Sequence, residues 1–155
     1  MEIRMAKPED IPGLTDLLLQ VGEVHHKIRP DLFRAGARKY DEKALTEILK
    51  DPNRPIFAAV EGGRLLGYCF CILEITRDNP VLMDQKSLYI DDLCVDENAR
   101  GKHVGASLYD FAMDYARKIG CDSLTLNVWC GNDSAMKFYE SRGLKQRNIH
   151  MEARL

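Results

Sequence analysis

No stretch of this 155-residue chain is long and apolar enough to cross a bilayer. The richest runs, Ala58 to Val60 and Leu65 to Ile75, are broken by Gly, Arg or Tyr and fall short of the ~20 residues a span needs. Met1 to Pro8 hold no apolar signal region, so the chain reads as cytoplasmic, with no membrane partner. Five cysteines occur (Cys69, Cys71, Cys94, Cys121 and Cys130), an odd number without a C-x-x-C spacing. A disulfide framework or a zinc site is therefore not expected, and the thiols read as reduced, buried small hydrophobes. No metal is called for. Neither sign of charge dominates, the formal net charge being -2. That balance speaks against a nucleic-acid partner held by bulk charge. Lys102 is followed by His103 rather than Ser or Thr, and no G-x-G-x-x-G occurs. These absences remove the phosphate loop of many ATPases and GTPases and the dinucleotide fingerprint.

What is present is an ordinary globular composition, 45% hydrophobic and 30% charged, with no repeat, low-complexity tract or linker. One domain over residues 1–155 is expected, large enough to build a core without staples. Glu2 to Ala6 reads as a strand. Pro8-Glu9-Asp10 opens a helix whose apolar face is Ile11, Leu14, Leu17, Leu18 and Val21. His25 to Tyr40 is charged and irregular. Asp41 caps a second helix through Leu45, Ile48 and Leu49, which Asp51-Pro52 ends. Ile56 to Val60 and Arg64 to Ile75 read as strands joined by the Gly62-Gly63 turn.

Ser87 to Val95 is the most informative strand. Leu88 and Ile90 are apolar at even positions, Leu93 and Val95 at odd ones. Side chains alternate between faces, so the apolar set turns over at Asp91-Asp92 unless one extra residue restores the facing. A β-bulge there is the expectation, with the two carboxylates pointing to different sides; a strand buried on both faces also fits the pattern. From Lys102 onward Val104, Leu108, Phe111, Ala112, Tyr115 and Ile119 mark a long helix, stopped by Gly120. Ser123 to Trp129 reads as a strand. Asn132 caps a helix through Ala135, Phe138 and Tyr139 that ends near Gly143. Ile149, Met151, Ala153 and Leu155 alternate as a closing strand. Helices before the sheet make this an α+β order.

Arg100-Gly101-Lys102-His103-Val104-Gly105-Ala106 joins the bent strand to the long helix. Free N–H groups at a helix start, two glycines and two cations suit a phosphate. A plain strand-to-helix turn reads the same residues equally well.

The run Tyr89 to Val95, this loop, Leu124 to Val128, then Asn132, Ala135, Phe138-Tyr139 and Gly143-Leu144 together resemble the Gcn5-related N-acetyltransferase (GNAT) family. The resemblance covers nearly the whole chain in element order. The family's loop pattern, Gln/Arg-x-x-Gly-x-Gly/Ala, begins here at Arg100 and keeps Gly105, with His103 at the first glycine. Negative φ inside a first helical turn would accommodate that histidine.

The resemblance implies a mixed, mostly antiparallel sheet flanked by helices, splayed into a V between strands about 87–95 and 123–129. It implies acetyl-CoA as co-substrate, its arm bonded to main-chain groups of Leu93, Cys94 and Val95 and reached by Asn132 and Ala135. The phosphates would sit on Arg100 to Ala106. Tyr139 stands where the family commonly has its general acid, and Asp91 where some polyamine acetyltransferases carry an acidic base. Asp91 equally suits a counter-ion for an ammonium. The Cys94 N–H would polarise the thioester carbonyl, and a covalent route through the Cys94 thiol has no activating base to support it. His25, Arg29 and Phe33, with Asp92, are candidates for the acceptor pocket.

The expected reaction is direct attack by a primary amine. Asp91, Asp92, Asp78 and Asp84 favour a small amine or polyamine, with a protein N-terminus or lysine as the alternative. An acyl-CoA-binding sensor without catalysis is the reading from another class. Homodimers are frequent in the family.

Overall fold

The computed structural model describes residues 1–155. Its centre is a five-stranded sheet in the order β1-β2-β3-β4-β5, formed by β1 (Glu2–Met5), β2 (Ile56–Glu61), β3 (Arg64–Thr76), β4 (Gln85–Val95) and β5 (Ser123–Leu126). The first three pairings are antiparallel and β4 with β5 is parallel. Gly62 and Gly63 both take positive φ, the left-handed conformation that a two-residue hairpin turn demands.

Helices cover both faces. On one lie α1 (Ile11–Ile28) and α2 (Glu42–Ile48), burying Leu14, Leu17, Leu18, Leu45 and Ile48 against Ile56, Ala58, Tyr68 and Phe70. On the other lies α3 (Val104–Lys118), whose Val104, Leu108, Ala112 and Ala116 pack on Phe57, Cys69, Cys71, Leu88 and Ile90. The Phe57 ring meets Phe111 at 5.0 Å and Tyr115 at 5.1 Å, both edge-on, which fastens β2 to α3. α4 (Asp133–Ser141) adds Phe138 and Tyr139 to this second core. The Asp41 carboxylate accepts from the Ala44 N–H at 2.7 Å, the expected cap of α2.

Several sequence expectations need correction. α1 runs four residues into the supposedly irregular segment, because His25 to Ile28 continue its hydrogen-bonded ladder to Arg29. The strand expected over Ser123 to Trp129 stops at Leu126, where pairing with β4 ends. The closing strand is absent: residues 149–155 form no regular element and make no backbone–backbone hydrogen bond. Local alternation makes a strand possible, yet a strand needs a neighbour to hydrogen-bond with. Cys130 is exposed rather than buried, whereas Cys69, Cys71 and Cys94 are buried as expected.

The bulge in β4 is present. Phe70 pairs with Asp92 and Cys71 with Ile90, leaving Asp91 as the extra residue. Leu88, Ile90, Leu93 and Val95 consequently all face the α3 core despite their change of parity. Gly67 in β3 sits beneath the start of α3, where an added Cβ would lie 2.8 Å from the Cys94 carbonyl and 3.1 and 3.2 Å from Leu108 and Val104. Two of those neighbours are side chains of the helix that carries the loop, and the third is rigid backbone. Gly67→Ala should therefore cost about 1–3 kcal/mol by overpacking, read as a fall in Tm of about 5 °C in thermal denaturation.

Candidate active site

Beyond the bulge, β4 and β5 part. Their ladder joins Ser87 to Ile90 with Ser123 to Leu126 and goes no further, while β3 stays paired with β4 up to Val95. One edge of Asp91 to Val95 is therefore open. The Asp96 N–H donates to the Leu66 carbonyl at 2.9 Å. In an antiparallel ladder such residues alternate, so Cys94 also turns its amide and carbonyl to β3, and Leu93 and Val95 present theirs to the open side. The expected use of the Cys94 N–H is thus corrected. Leu93 and Val95 hold the free groups.

The open edge leads to the start of α3. The Ser107 N–H donates to the His103 carbonyl at 3.0 Å, the first bond of the helix, which leaves the amides of Val104, Gly105 and Ala106 without intrahelical partners. No side chain caps them. Arg100, Gly101, Lys102 and His103 are exposed around this end, Val104 is buried, and Gly105 and Ala106 are half-buried. His103 does not have the negative φ expected of it. It stands at φ +59°, just outside the helix, and Gly101 at +77°. The chain turns sharply from strand to helix here, and histidine is among the non-glycine residues that enter the left-handed region more often.

The bulge sets the two carboxylates differently from expectation. Two residues of β4 oppose one of β3, and Asp91 and Asp92 both turn toward the α1–α2 face. Asp91 is almost closed off, accepting from Lys39 Nζ at 2.6 Å and from the Tyr40 hydroxyl at 2.8 Å. Tyr40 in turn accepts from Arg54 at 2.9 Å and stacks on Phe70 at 5.6 Å. Asp92 accepts from the fully buried Tyr68 hydroxyl at 2.8 Å and has no cation in direct contact. Burial, opposed by the Tyr68 hydrogen bond and by Lys39, pushes the Asp92 carboxyl up to about 6.

Tyr139 projects from α4 on the other side of the cleft, among Phe138 at 5.1 Å and Tyr109 at 6.2 Å. Burial, with Cys69 and Asp92 nearby, holds its phenol well above the ordinary value, so it stays protonated. Asn132 accepts from the Ala135 N–H at 3.3 Å, spending its oxygen on the cap of α4 and leaving its NH2 group available. At the mouth, Phe33 meets His25 at 5.0 Å and Trp129 edge-on at 5.1 Å. Arg29 is tied to Asp31 and to Glu152.

A family model described as the acetyltransferase (GNAT) family matches residues 22–144. The chain belongs to that family. It is 31% identical over 149 residues to an uncharacterised N-acetyltransferase, YhfO, of Bacillus subtilis, which covers 94% of this chain and 91% of that protein. It is 25% identical to a thialysine N-epsilon-acetyltransferase of Bos taurus, over 91% of this chain and 82% of the relative. Among solved structures, a mutant of the BH1408 protein of Bacillus halodurans superposes with a TM-score of 0.95 at 29% identity, covering 100% of this chain and 99% of that one.

In this acetyltransferase the structure brings together Leu93, Val95, the loop Arg100 to Ala106, Asp92 and Tyr139. It leaves Asp78 and Asp84 out: they belong to the β3–β4 hairpin, where Asp84 accepts from the Asp78 N–H. Seven residues of strand separate that turn from Asp92, about 23 Å, well past the ~8 Å over which salt screens charge. Tyr68, Lys39, Tyr40 and Arg54 carry no local signal of their place in the site. In the sequence Tyr68 reads as one more core aromatic, and Lys39 lies 52 residues from its partner.

The raised Asp92 carboxyl also bears on stability. Its pKa in the fold lies above the value of about 4 in the unfolded chain, so the group favours folding most below pH 4 and loses that contribution as pH rises through 6. Asp92→Asn is expected to raise Tm relative to the wild type at pH 7.5 and to make little difference at pH 4. Thermal melts at the two pH values check this.

Proposed function

We propose that this acetyltransferase takes acetyl-CoA as donor and moves the acetyl group directly to the primary amine of a small molecule. The observation that carries the reading is the open edge of Leu93 and Val95 running into the unpaired N-terminus of α3. Asp92 stands on one face of that edge and Tyr139 on the other. A ligand with two amides matches the strand edge, and a pyrophosphate matches the Val104, Gly105 and Ala106 amides with Arg100 and Lys102 beside them. His103 offers its own backbone at the same turn, and the Asn132 NH2 group faces the arm from α4, with the small Ala135 next to it.

An alkylamine is mostly protonated at neutral pH, its pKa being about 10. Asp92, rather than Asp91, receives that proton in our reading: raised to about 6, it is a stronger base than an ordinary carboxylate and still ionised at pH 7. Asp91 already serves Lys39 and Tyr40 and so anchors the segment before α2. The Leu93 N–H, on the open edge, steadies the developing oxyanion in this reading. As the C–N bond forms and the C–S bond breaks, the Tyr139 hydroxyl supplies a proton to the departing thiolate. Cys94 takes no covalent part: burial pushes its thiol up to about 12, and it donates to the Leu17 carbonyl at 3.6 Å.

Charge at the mouth bears on the acceptor. Residues 25–40 carry five cations; Lys39 is paired with Asp91 and Arg29 with Asp31 and Glu152, which leaves Lys27, Arg34 and Arg38 without an ion pair. With Asp91 neutralised by Lys39 and the hairpin carboxylates remote, this balance supports a small amine that also bears an acidic group over a bare polyamine. The relative named for thialysine agrees with such a class.

Tyr139→Phe should lower kcat about 100-fold while leaving the KM for acetyl-CoA within a few-fold; an unchanged kcat removes its role. Asp92→Asn should abolish the fall in kcat/KM below pH 6, at a much lower plateau. For the acceptor, free thiol release is followed with amino acids, phosphorylated amino sugars, polyamines and peptides. Preference for a polyamine or a peptide overturns the acidic-amine reading.

A further inference from the structure

Lys39 sets an alkylammonium against the bulge of β4. Its Nζ lies 2.6 Å from the Asp91 carboxylate and 5.6 Å from the centre of the Tyr40 ring. The Tyr40 hydroxyl donates to the other oxygen of the same carboxylate at 2.8 Å. A carboxylate steadied by a phenol, with an aromatic face beside it, is the surrounding that suits a bound ammonium. Tyr40 is braced in turn. The Arg54 guanidinium stands 5.3 Å from its ring centre and donates to its hydroxyl at 2.9 Å, and Phe70 stacks on the ring at 5.6 Å. These contacts hold the seat independently of the ammonium that fills it.

Exposure separates the seat from its occupant. The Asp91 side chain is 10% exposed and that of Lys39 47%. The carboxylate belongs to the sheet, whereas the ammonium reaches it from residues 29–41, which form no helix or strand. An enclosed carboxylate that loses its cation is left uncompensated, so another cation is favoured in its place. The seat also adjoins the reacting amine. Asp92, which takes the acceptor's proton in the reading above, is the next residue, about 3.4 Å further along the strand. A short diamine spans that distance, with one amine at Asp92 and the other ammonium at Asp91.

We infer that Lys39 determines the acceptor class: its ammonium fills, from within the chain, the seat that the second ammonium of a diamine would take. The inference rests on the reading of this cleft as the acceptor site. Lys39 acts in two ways. It occupies Asp91 and Tyr40, and its charge repels an acceptor that carries a second cation while attracting one that carries a carboxylate.

The test compares putrescine with 4-aminobutyrate, a similar chain bearing a carboxylate instead of the second ammonium, by free thiol release from acetyl-CoA. Lys39→Met should raise the ratio of kcat/KM for putrescine to that for 4-aminobutyrate by about 10-fold or more, the worth of one hydrogen bond to a charged group. Lys39→Arg keeps the cation and should keep the wild-type ratio. Adding Asp91→Asn to Lys39→Met should cancel the gain. A second readout needs no turnover: putrescine should raise the Tm of Lys39→Met but not that of wild type or of the double variant. An unchanged ratio in folded Lys39→Met overturns the proposal, and so does a gain that survives Asp91→Asn. Lys39→Gln, neutral and polar, gives the same comparison if Lys39→Met does not fold. Thiol release with no amine at all would sink the acetyl-transfer reading instead; a Tm of Lys39→Met unmoved by putrescine then overturns the ammonium seat as well.

Discussion

One extra residue in β4 is the constraint on which the site rests. Asp91 has no opposite number in β3, and its insertion lets Leu88, Ile90, Leu93 and Val95 share one face although their numbering changes parity. The same insertion bends β4 away from β5, so pairing with β5 stops at Ile90 while pairing with β3 runs on to Val95. An unpaired edge inside a sheet is costly unless water or a ligand satisfies it. Here the edge is the floor of the cleft.

The bulge also decides the electrostatics. It sets two successive carboxylates on one face, where they would repel if both were left bare. Lys39 and the Tyr40 hydroxyl neutralise and hold Asp91, and the neutral Tyr68 hydroxyl donates to Asp92. One carboxylate becomes structural and the other keeps a raised pKa. Two identical side chains, adjacent in the chain, so receive different chemistry from their surroundings. The stability given up at Asp92 is of the kind commonly found at functional groups.

Packing places the remaining parts. Gly67 lets α3 settle close on β3, which brings the unpaired amides of Val104 to Ala106 to the end of the open edge. His103 accepts a left-handed conformation where the family pattern has glycine. Phe138 and Tyr139 bind α4 to the α3 core and hold the phenol over the cleft.

Much of this is legible in the residues alone. Hydrophobic periodicity locates the helices, the parity change at Asp91-Asp92 locates the bulge, and the family motif locates the loop and Tyr139, because these signals lie within a few residues of one another. What depends on distant segments is not legible there. The side to which Asp91 turns, the Tyr68 hydrogen bond, the Lys39 ion pair and the orientation of the Leu93 and Cys94 amides follow from which strand or loop lies alongside. The tail shows the same division: its alternation determines that Ile149 to Leu155 can be a strand. Only the tertiary arrangement, which sets no neighbour beside it, decides that it is not one, since backbone pairing is a property of two segments and not of one.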